Sequence, residues 1–246
     1  MLVSSTKNAS STVTALTLVV GGAGEIGSAI VQQFLEQGRT VIVLDRTAPS
    51  TDKAGFIEVD LSAPSSVRAA FAKVDALGAQ VETLIVAAGF LRPGAFLELS
   101  DQDIQDHLDV NLLGAFRVAQ AASERMLEKG GRIVFLTSIH GQIGVPNRTA
   151  YAISKAAIGA LVRAMAVELS QHRIRVNAVA PGAVDGGMTP NAKTRDYWVK
   201  STPAHRVAEL EEVARFVTML ASQDASFLSG QTIALDGGAS NLRLLE

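Results

Sequence analysis

Short apolar runs alternate with longer stretches of helical periodicity along nearly the whole chain, and this alternation leaves few folds open. The runs are Ala15–Val20, Thr40–Leu44, Phe56–Asp60, Thr83–Ala88, Arg132–Ser138, Ile174–Ala180 and Thr232–Leu235. Most are rich in β-formers and lie beside glycine, proline or hydroxyl residues, the usual punctuation of strands. Between them the spacing predicts helices from the first glycine cluster to about Gln37, from Pro64 to about Ala76, and from Ser100 to about Glu128. Two more are expected from Tyr151 to about His172 and from Glu209 to Ala221, with a stretch over 186–202 that is irregular but has some helical character. Strand and helix in strict turn imply an α/β protein whose parallel sheet is covered on both faces. No linker, low-complexity block or repeat interrupts residues 15–246, so one domain is expected there. Residues 1–14, rich in Ser and Thr, read as a flexible tail.

Composition narrows the function. A formal net charge of −2 and the lack of a dense basic run argue against a nucleic-acid partner. With no cysteine there is no disulfide framework, thiolate chemistry or zinc–thiolate site, which is compatible with a reducing, cytoplasmic setting. Apolar stretches such as Leu84 to Leu91 fall short of the roughly 20 residues of a membrane span. The first 14 residues lack the apolar segment of a secretory signal, so neither membrane nor export is expected.

Ligands of such sheets bind beyond the carboxyl ends of the strands, where Gly21, Asp45, Gly89, Ser138 and Pro181 all fall. Gly22-Ala-Gly24-Glu-Ile-Gly27 fits G-x-G-x-x-G between a strand and a helix, a context far stronger than the bare pattern. Free amides at that helix start can hold a pyrophosphate; the blander alternative is a tight turn with close packing. Asp45 ends the next strand 18 residues after Gly27, close to the spacing of a ribose-binding acid. An acid there repels a 2′-phosphate and favours NAD, although Arg46 beside it could hold that phosphate and admit NADP.

A second constellation carries the chemistry. Tyr151 and Lys155 lie one helical turn apart on one face, and Ser138 ends the preceding strand. Brought together, they supply a hydroxyl, a titratable phenol and a cation expected to draw the phenol pKa down for proton transfer. Taken alone, Tyr-x-x-x-Lys is more often a packed aromatic with a surface lysine.

The chain resembles the short-chain dehydrogenase/reductase family of compact, single-domain type from about Leu16 to Gly238. The matching residues are Gly21–Gly27, Asp60-Leu61, Ala87–Gly89, Asn111, Ser138, Tyr151–Lys155, Asn177–Gly182 and Asp236–Gly238. The resemblance implies a Rossmann-like, doubly wound parallel sheet of about seven strands. It also implies hydride transfer between a nicotinamide and a secondary alcohol or ketone. Tyr151 would be the acid/base, Ser138 would steady the substrate oxygen, and Lys155 would bind the nicotinamide ribose. Asn111 would hold a relay water by kinking its helix. Around the cofactor, Gly21, Gly24, Glu25, Ile26 and Gly27 would meet the pyrophosphate side, with Asp45, Arg46, Asp60 and Leu61 towards the adenosine. Ala87, Ala88, Gly89, Pro181, Gly182 and Val184 would complete the cofactor site. Resemblance further implies a homotetramer, or less often a homodimer, built through the long helices.

Three departures from the family pattern stand out. Glu25 replaces a usual glycine, Val86-Ala87-Ala88-Gly89 replaces Asn-Asn-Ala-Gly, and Gly186 stands where a Thr often follows Pro-Gly, with Thr189 three residues on. Arg148 resembles an arginine that meets the carboxylate of hydroxy or keto acids; a surface or subunit-contact arginine is an equal alternative. His140 is a candidate for the substrate pocket or for a layer behind it. Trp198, Tyr197 and Met188 read as a lid over the small-molecule substrate or as plain packing. His107, His172 and His205 lack metal spacing and read as surface residues. Two other readings stand beside an NAD-linked dehydrogenase: an NADPH-dependent 3-oxoacyl-thioester reductase and a nucleotide-binding regulator with little turnover.

Overall fold

A computed structural model describes residues 15–186, 188 and 192–241. The expected tail at 1–14 and Thr189 lie outside these residues. The strands are β1 (Ala15–Val20), β2 (Thr40–Asp45), β3 (Gly55–Glu58), β4 (Gln80–Val86), β5 (Gly131–Leu136), β6 (Ile174–Pro181) and β7 (Thr232–Leu235). They form one seven-stranded sheet in the order β3-β2-β1-β4-β5-β6-β7, with every pairing parallel. The order reverses between β1 and β4, which opens a crevice above those two strands.

Alternate strand residues feed two separate cores. Leu16, Leu18, Val20, Ile42 and Leu44 face α2 (Pro64–Ala76), α4 (Ala115–Met126) and α5 (Thr149–Glu168). Val19, Val41, Val43 and Ile85 face α1 (Glu25–Glu36) and α7 (Leu210–Leu220). Burial on both faces explains why the central strands read as continuous apolar runs and not as alternating ones.

The long helix expected from Ser100 to Glu128 is broken. Here α3 (Asp101–His107), opened by a Ser100–Asp103 capping box, passes into a π-helical turn over Leu108–Gly114 before α4 begins. Asn111 in that turn bonds the backbone of Phe90, and a Cβ on Gly114 would sit 2.7 Å from the Leu61 Cβ. These two close approaches account for the break. Helix α5 stops short of the expected His172, giving way to a 3₁₀ turn at Ser170–His172 and left-handed Arg173 (φ 58°). Within the stretch expected to be irregular with some helical character lies α6 (Ala192–Ser201).

By length and composition alone, α5 is apolar enough to cross a membrane, which the search for unbroken apolar runs did not register. Its apolar side, including Ile158, Val162 and Ala166, is part of the sheet's core.

Gly21 fixes how the glycine loop meets the sheet. Its φ is +79°, and a Cβ there would lie 2.4 Å from the Ala88 amide nitrogen. Both facts demand glycine, and the contact ties the loop to the chain leaving β4.

Candidate active site

A cleft of about 940 Å³ opens at the carboxyl ends of the strands. Its walls include Gly21, Gly24, Glu25, Ile26 and Gly27 on one side, and Ser138, His140, Arg148, Tyr151 and Lys155 on the other. Asp45, Arg46, Asp60, Leu61, Ala87, Ala88, Gly89, Pro181, Gly182 and Val184 also line it. One cavity thus gathers every residue expected at the cofactor and substrate, with Asn111 the exception among the catalytic set.

At the phosphate end, Gly24 caps α1 without a side-chain hydrogen bond, so no side chain competes for the first-turn amides. A Cβ on Gly27 would lie 2.0 Å from the Gly21 carbonyl oxygen, so this cradle admits only glycine. Asp45 sits beside it, its Oδ2 accepting from the Ala23 amide at 3.0 Å and its Oδ1 from Arg46 N at 2.6 Å. Glu25 carries its carboxylate across to Gly186, 3.3–3.4 Å from where a Cβ would stand on that residue. Asp60 accepts from the Ser62 amide and hydroxyl, which together with nearby Arg46 hold its carboxyl below the usual range. These residues fit a dinucleotide: an open helix terminus in a glycine cradle, flanked by two carboxylates at hydroxyl-accepting positions.

At the chemical end, Ser138 and Tyr151 line the same cleft, and the Ser138 hydroxyl accepts from the His140 amide at 3.2 Å. Lys155 is buried, its Nζ donating to the Leu136 carbonyl at 2.9 Å and lying 5.8 Å from the Tyr151 ring centroid. The expected acidification of the phenol by Lys155 is absent from the protein by itself. Burial pushes Tyr151 up to about 12, against smaller downward pulls from Ser138 and Arg148. Burial also pushes Lys155 down to about 8. The ammonium is thus destabilised by the same dry surroundings and turned to a carbonyl.

Asn111 sits behind this wall. Its Nδ2 donates to the Phe90 carbonyl and to Ser154 Oγ, both at 3.0 Å, while its Oδ1 accepts from the Phe90 amide at 2.9 Å. The expected kink is the π turn, and the side chain is spent on bracing the segment after β4.

His140 is neutral: burial, then Arg148, brings its pKa down to about 4. Its Nδ1 is buried without a hydrogen-bond partner, and its ring stacks on Trp198 with centroids 5.8 Å apart. Met188 and Trp198 line the cleft, whereas Tyr197 packs edge-on against Trp198 and stays exposed. His205 is exposed and His172 half-buried, but His107, expected on the surface, is fully buried. Sequence reasoning also missed Arg92, Asp106 and Asp109 as cleft-lining residues. The available signal was the spacing of His107 and Asn111, one helical turn apart and so on one face.

A parallel sheet with a glycine-cradled helix terminus and a buried Ser–Tyr–Lys cluster at the same edge defines a nucleotide-dependent oxidoreductase. Comparison with known proteins agrees. Residues 21–240 match the family described as "Enoyl-(Acyl carrier protein) reductase". The chain is 36% identical over 224 residues to the 3-oxoacyl-[acyl-carrier-protein] reductase MabA of Mycobacterium tuberculosis, covering 90% of this chain and 91% of that one. Aldohexose dehydrogenase of Thermoplasma acidophilum superposes with a TM-score of 0.89 at 28% identity, covering 95% and 96% of the two chains. A short-chain dehydrogenase of Leptospira borgpetersenii with bound NAD⁺ gives a TM-score of 0.86 at 26% identity, covering 92% and 93%. The chain belongs to the short-chain dehydrogenase/reductase family, whose members use NAD(P).

Proposed function

We propose that this protein is an NAD-preferring dehydrogenase that interconverts a secondary alcohol and a ketone on a small polar substrate bearing a carboxylate. The observation that carries the substrate class is Arg148. It lines the cleft with Ser138, His140 and Tyr151, and the hydrogen bond it makes is to the carbonyl of its own neighbour, Asn147. A guanidinium so placed is ready for bidentate pairing with a carboxylate. Neutral His140 adds a polar ring edge without adding charge.

In this reading Ser138 orients the substrate oxygen and Tyr151 moves the proton to or from it. Bound NAD(P) would supply the hydride donor or acceptor and, when oxidised, a positive charge that favours the phenolate of Tyr151. Lys155 would hold the nicotinamide ribose; Gly21, Gly24, Ile26 and Gly27 the pyrophosphate; Asp45 the adenosine ribose.

The nucleotide preference rests on Asp45, whose carboxylate stands at the glycine loop. NADH is expected to bind at least about tenfold more tightly than NADPH, and Asp45→Asn to narrow that gap, since roughly 1.4 kcal/mol corresponds to tenfold. Titration by fluorescence checks this; tighter binding of NADPH than of NADH to the unaltered protein would discard it.

Turnover of a panel of hydroxy acids, sugar acids, polyols and sterols, read by NADH absorbance, tests the substrate class. Arg148→Ala is expected to cost about 10–100-fold in kcat/KM for carboxylated substrates and little for neutral ones, the size of a lost charge-assisted pair. Equal losses on both would make the arginine structural. The similarity to MabA favours a second reading, reduction of a 3-oxoacyl thioester. A thioester substrate in the same panel, turned over with NADPH and indifferent to Arg148→Ala, would support it.

We further propose a homotetramer or homodimer. Phe116 on α4, Ile153 and Val167 on α5, Met219 on α7 and Phe227 after it leave large apolar side chains exposed, as subunit contacts would.

A further inference from the structure

We infer that His107 is a positioning residue that pins the cleft wall formed by Gly89–Arg92, through the lone pair its Nε2 offers to the Arg92 amide. The inference rests on the dehydrogenase reading for its kinetic consequences, but not for the pin itself. His107 is the last residue of α3 and is 0% exposed. Its Nδ1 lies 2.7 Å from the Asp103 carbonyl oxygen, and the Arg92 amide nitrogen lies 3.1 Å from its Nε2. A carbonyl can only accept and a backbone amide can only donate. The hydrogen therefore sits on Nδ1, and Nε2 offers its lone pair to Arg92. A second proton would set N–H against N–H in a buried place, leaving a donor without a partner.

What the pin holds is part of the cleft. Phe90 stacks on the imidazole with centroids 4.5 Å apart, and Phe90, Leu91 and Arg92 all line the cavity. One turn further on, Asn111 takes both the amide and the carbonyl of Phe90. Gly89, next along, passes so close to Lys155 that a Cβ on it would stand 3.0 Å from Nζ. Two adjacent helical positions thus fix how the post-β4 segment lies against the lysine.

The charged groups facing this point come from each neighbouring element. The segment itself contributes Arg92, whose guanidinium pairs with Asp103 at 3.3 Å and Asp106 at 2.8 Å, both on α3. The π turn brings Asp109 to the cleft, and α5 contributes Tyr151 and Lys155. The Arg92 ion pairs are made by its guanidinium and leave its backbone amide to His107.

Two variants separate the pin from plain packing. His107→Phe keeps a flat ring but offers no acceptor; His107→Gln can place its Oε1 where Nε2 stood and never becomes a cation. Amide hydrogen exchange of the 89–94 segment, expressed as protection factors, is compared at one neutral pH in the unaltered protein and the two variants. Protection should be high in the unaltered protein, low in His107→Phe, and restored in His107→Gln.

In parallel, kcat/KM should drop roughly tenfold in His107→Phe, the scale of one lost backbone bond, and be restored in His107→Gln. Protection in His107→Phe equal to the unaltered protein, or protection in His107→Gln as low as in His107→Phe, would overturn the inference. Absence of turnover on every substrate would count against the dehydrogenase reading while leaving the exchange result to decide the pin.

Discussion

Tyr151→Phe is expected to lower kcat/KM by about 10²–10⁴-fold, the usual weight of a positioned acid/base, while fold and nucleotide affinity stay nearly unchanged. Phenylalanine removes the hydroxyl and leaves the buried ring in place. Steady-state kinetics against NADH titration and thermal unfolding checks all three parts. Residual activity above about 10% of normal would mean that another group moves the proton. Nucleotide binding without turnover of any substrate, in both the unaltered protein and the variant, would instead favour the regulator. The same residue makes a spectroscopic forecast. With the phenol pushed up to about 12, phenolate absorbance from Tyr151 should not develop below pH 11 or so in the nucleotide-free protein. Earlier onset on adding NAD⁺ would locate the missing positive charge on the cofactor.

Lys155→Met should remove activity and yet make the nucleotide-free protein more stable at neutral pH. The ammonium is buried, donates to the Leu136 carbonyl, and is pushed by burial from 10.5 down to about 8. Since the folded value lies below the unfolded one, folding disfavours the protonated form. That cost is fully present below about pH 8 and fades as the pH rises toward 10.5, where both states are neutral. Methionine fills a similar volume without charge. The variant should therefore melt a few degrees higher near pH 7, each 1 kcal/mol being worth about 2–4 °C in a domain of this size. The difference should close in alkaline buffer. Loss of the cation should cost about 10²–10³-fold in kcat, comparable to removing one preorganised donor. Scanning calorimetry decides the first part: a variant less stable than the unaltered protein at pH 7 would show that the ammonium supports the fold.

Strand number, order of elements and the cleft's location were legible because they rest on local pattern. Burial on both faces made the central strands unmistakable, and β7 fell where its residues were expected. The convergence of Ser138, Tyr151 and Lys155 followed from helical spacing plus the rule that sites lie beyond strand ends. What the sequence hid depends on contacts between distant segments. Resemblance placed a kink at Asn111, but that it takes the form of a π turn over Leu108–Gly114 involves Phe90 and Leu61, far away in the chain. His107 looked like a solvated imidazole because its partner is a backbone amide, which carries no sequence signature. The phenol pKa of the cofactor-free protein was hidden for a related reason. Proximity of Lys155 was readable, but the depth of burial that penalises both groups was not.

The switch from β1 to β4 also sets a timetable for the ribosome. Ala15 pairs with Gln80, and the peptide at Gly21 leans on Ala88, so the phosphate cradle lacks its floor until that later stretch has left the exit tunnel. A growing chain that has delivered only β1 to β3 holds the glycine signature but no finished binding place. On the proposed reading, a dinucleotide would steady the emerging protein only after β4 has docked, and Ser138, Tyr151 and Lys155 follow later still in the chain.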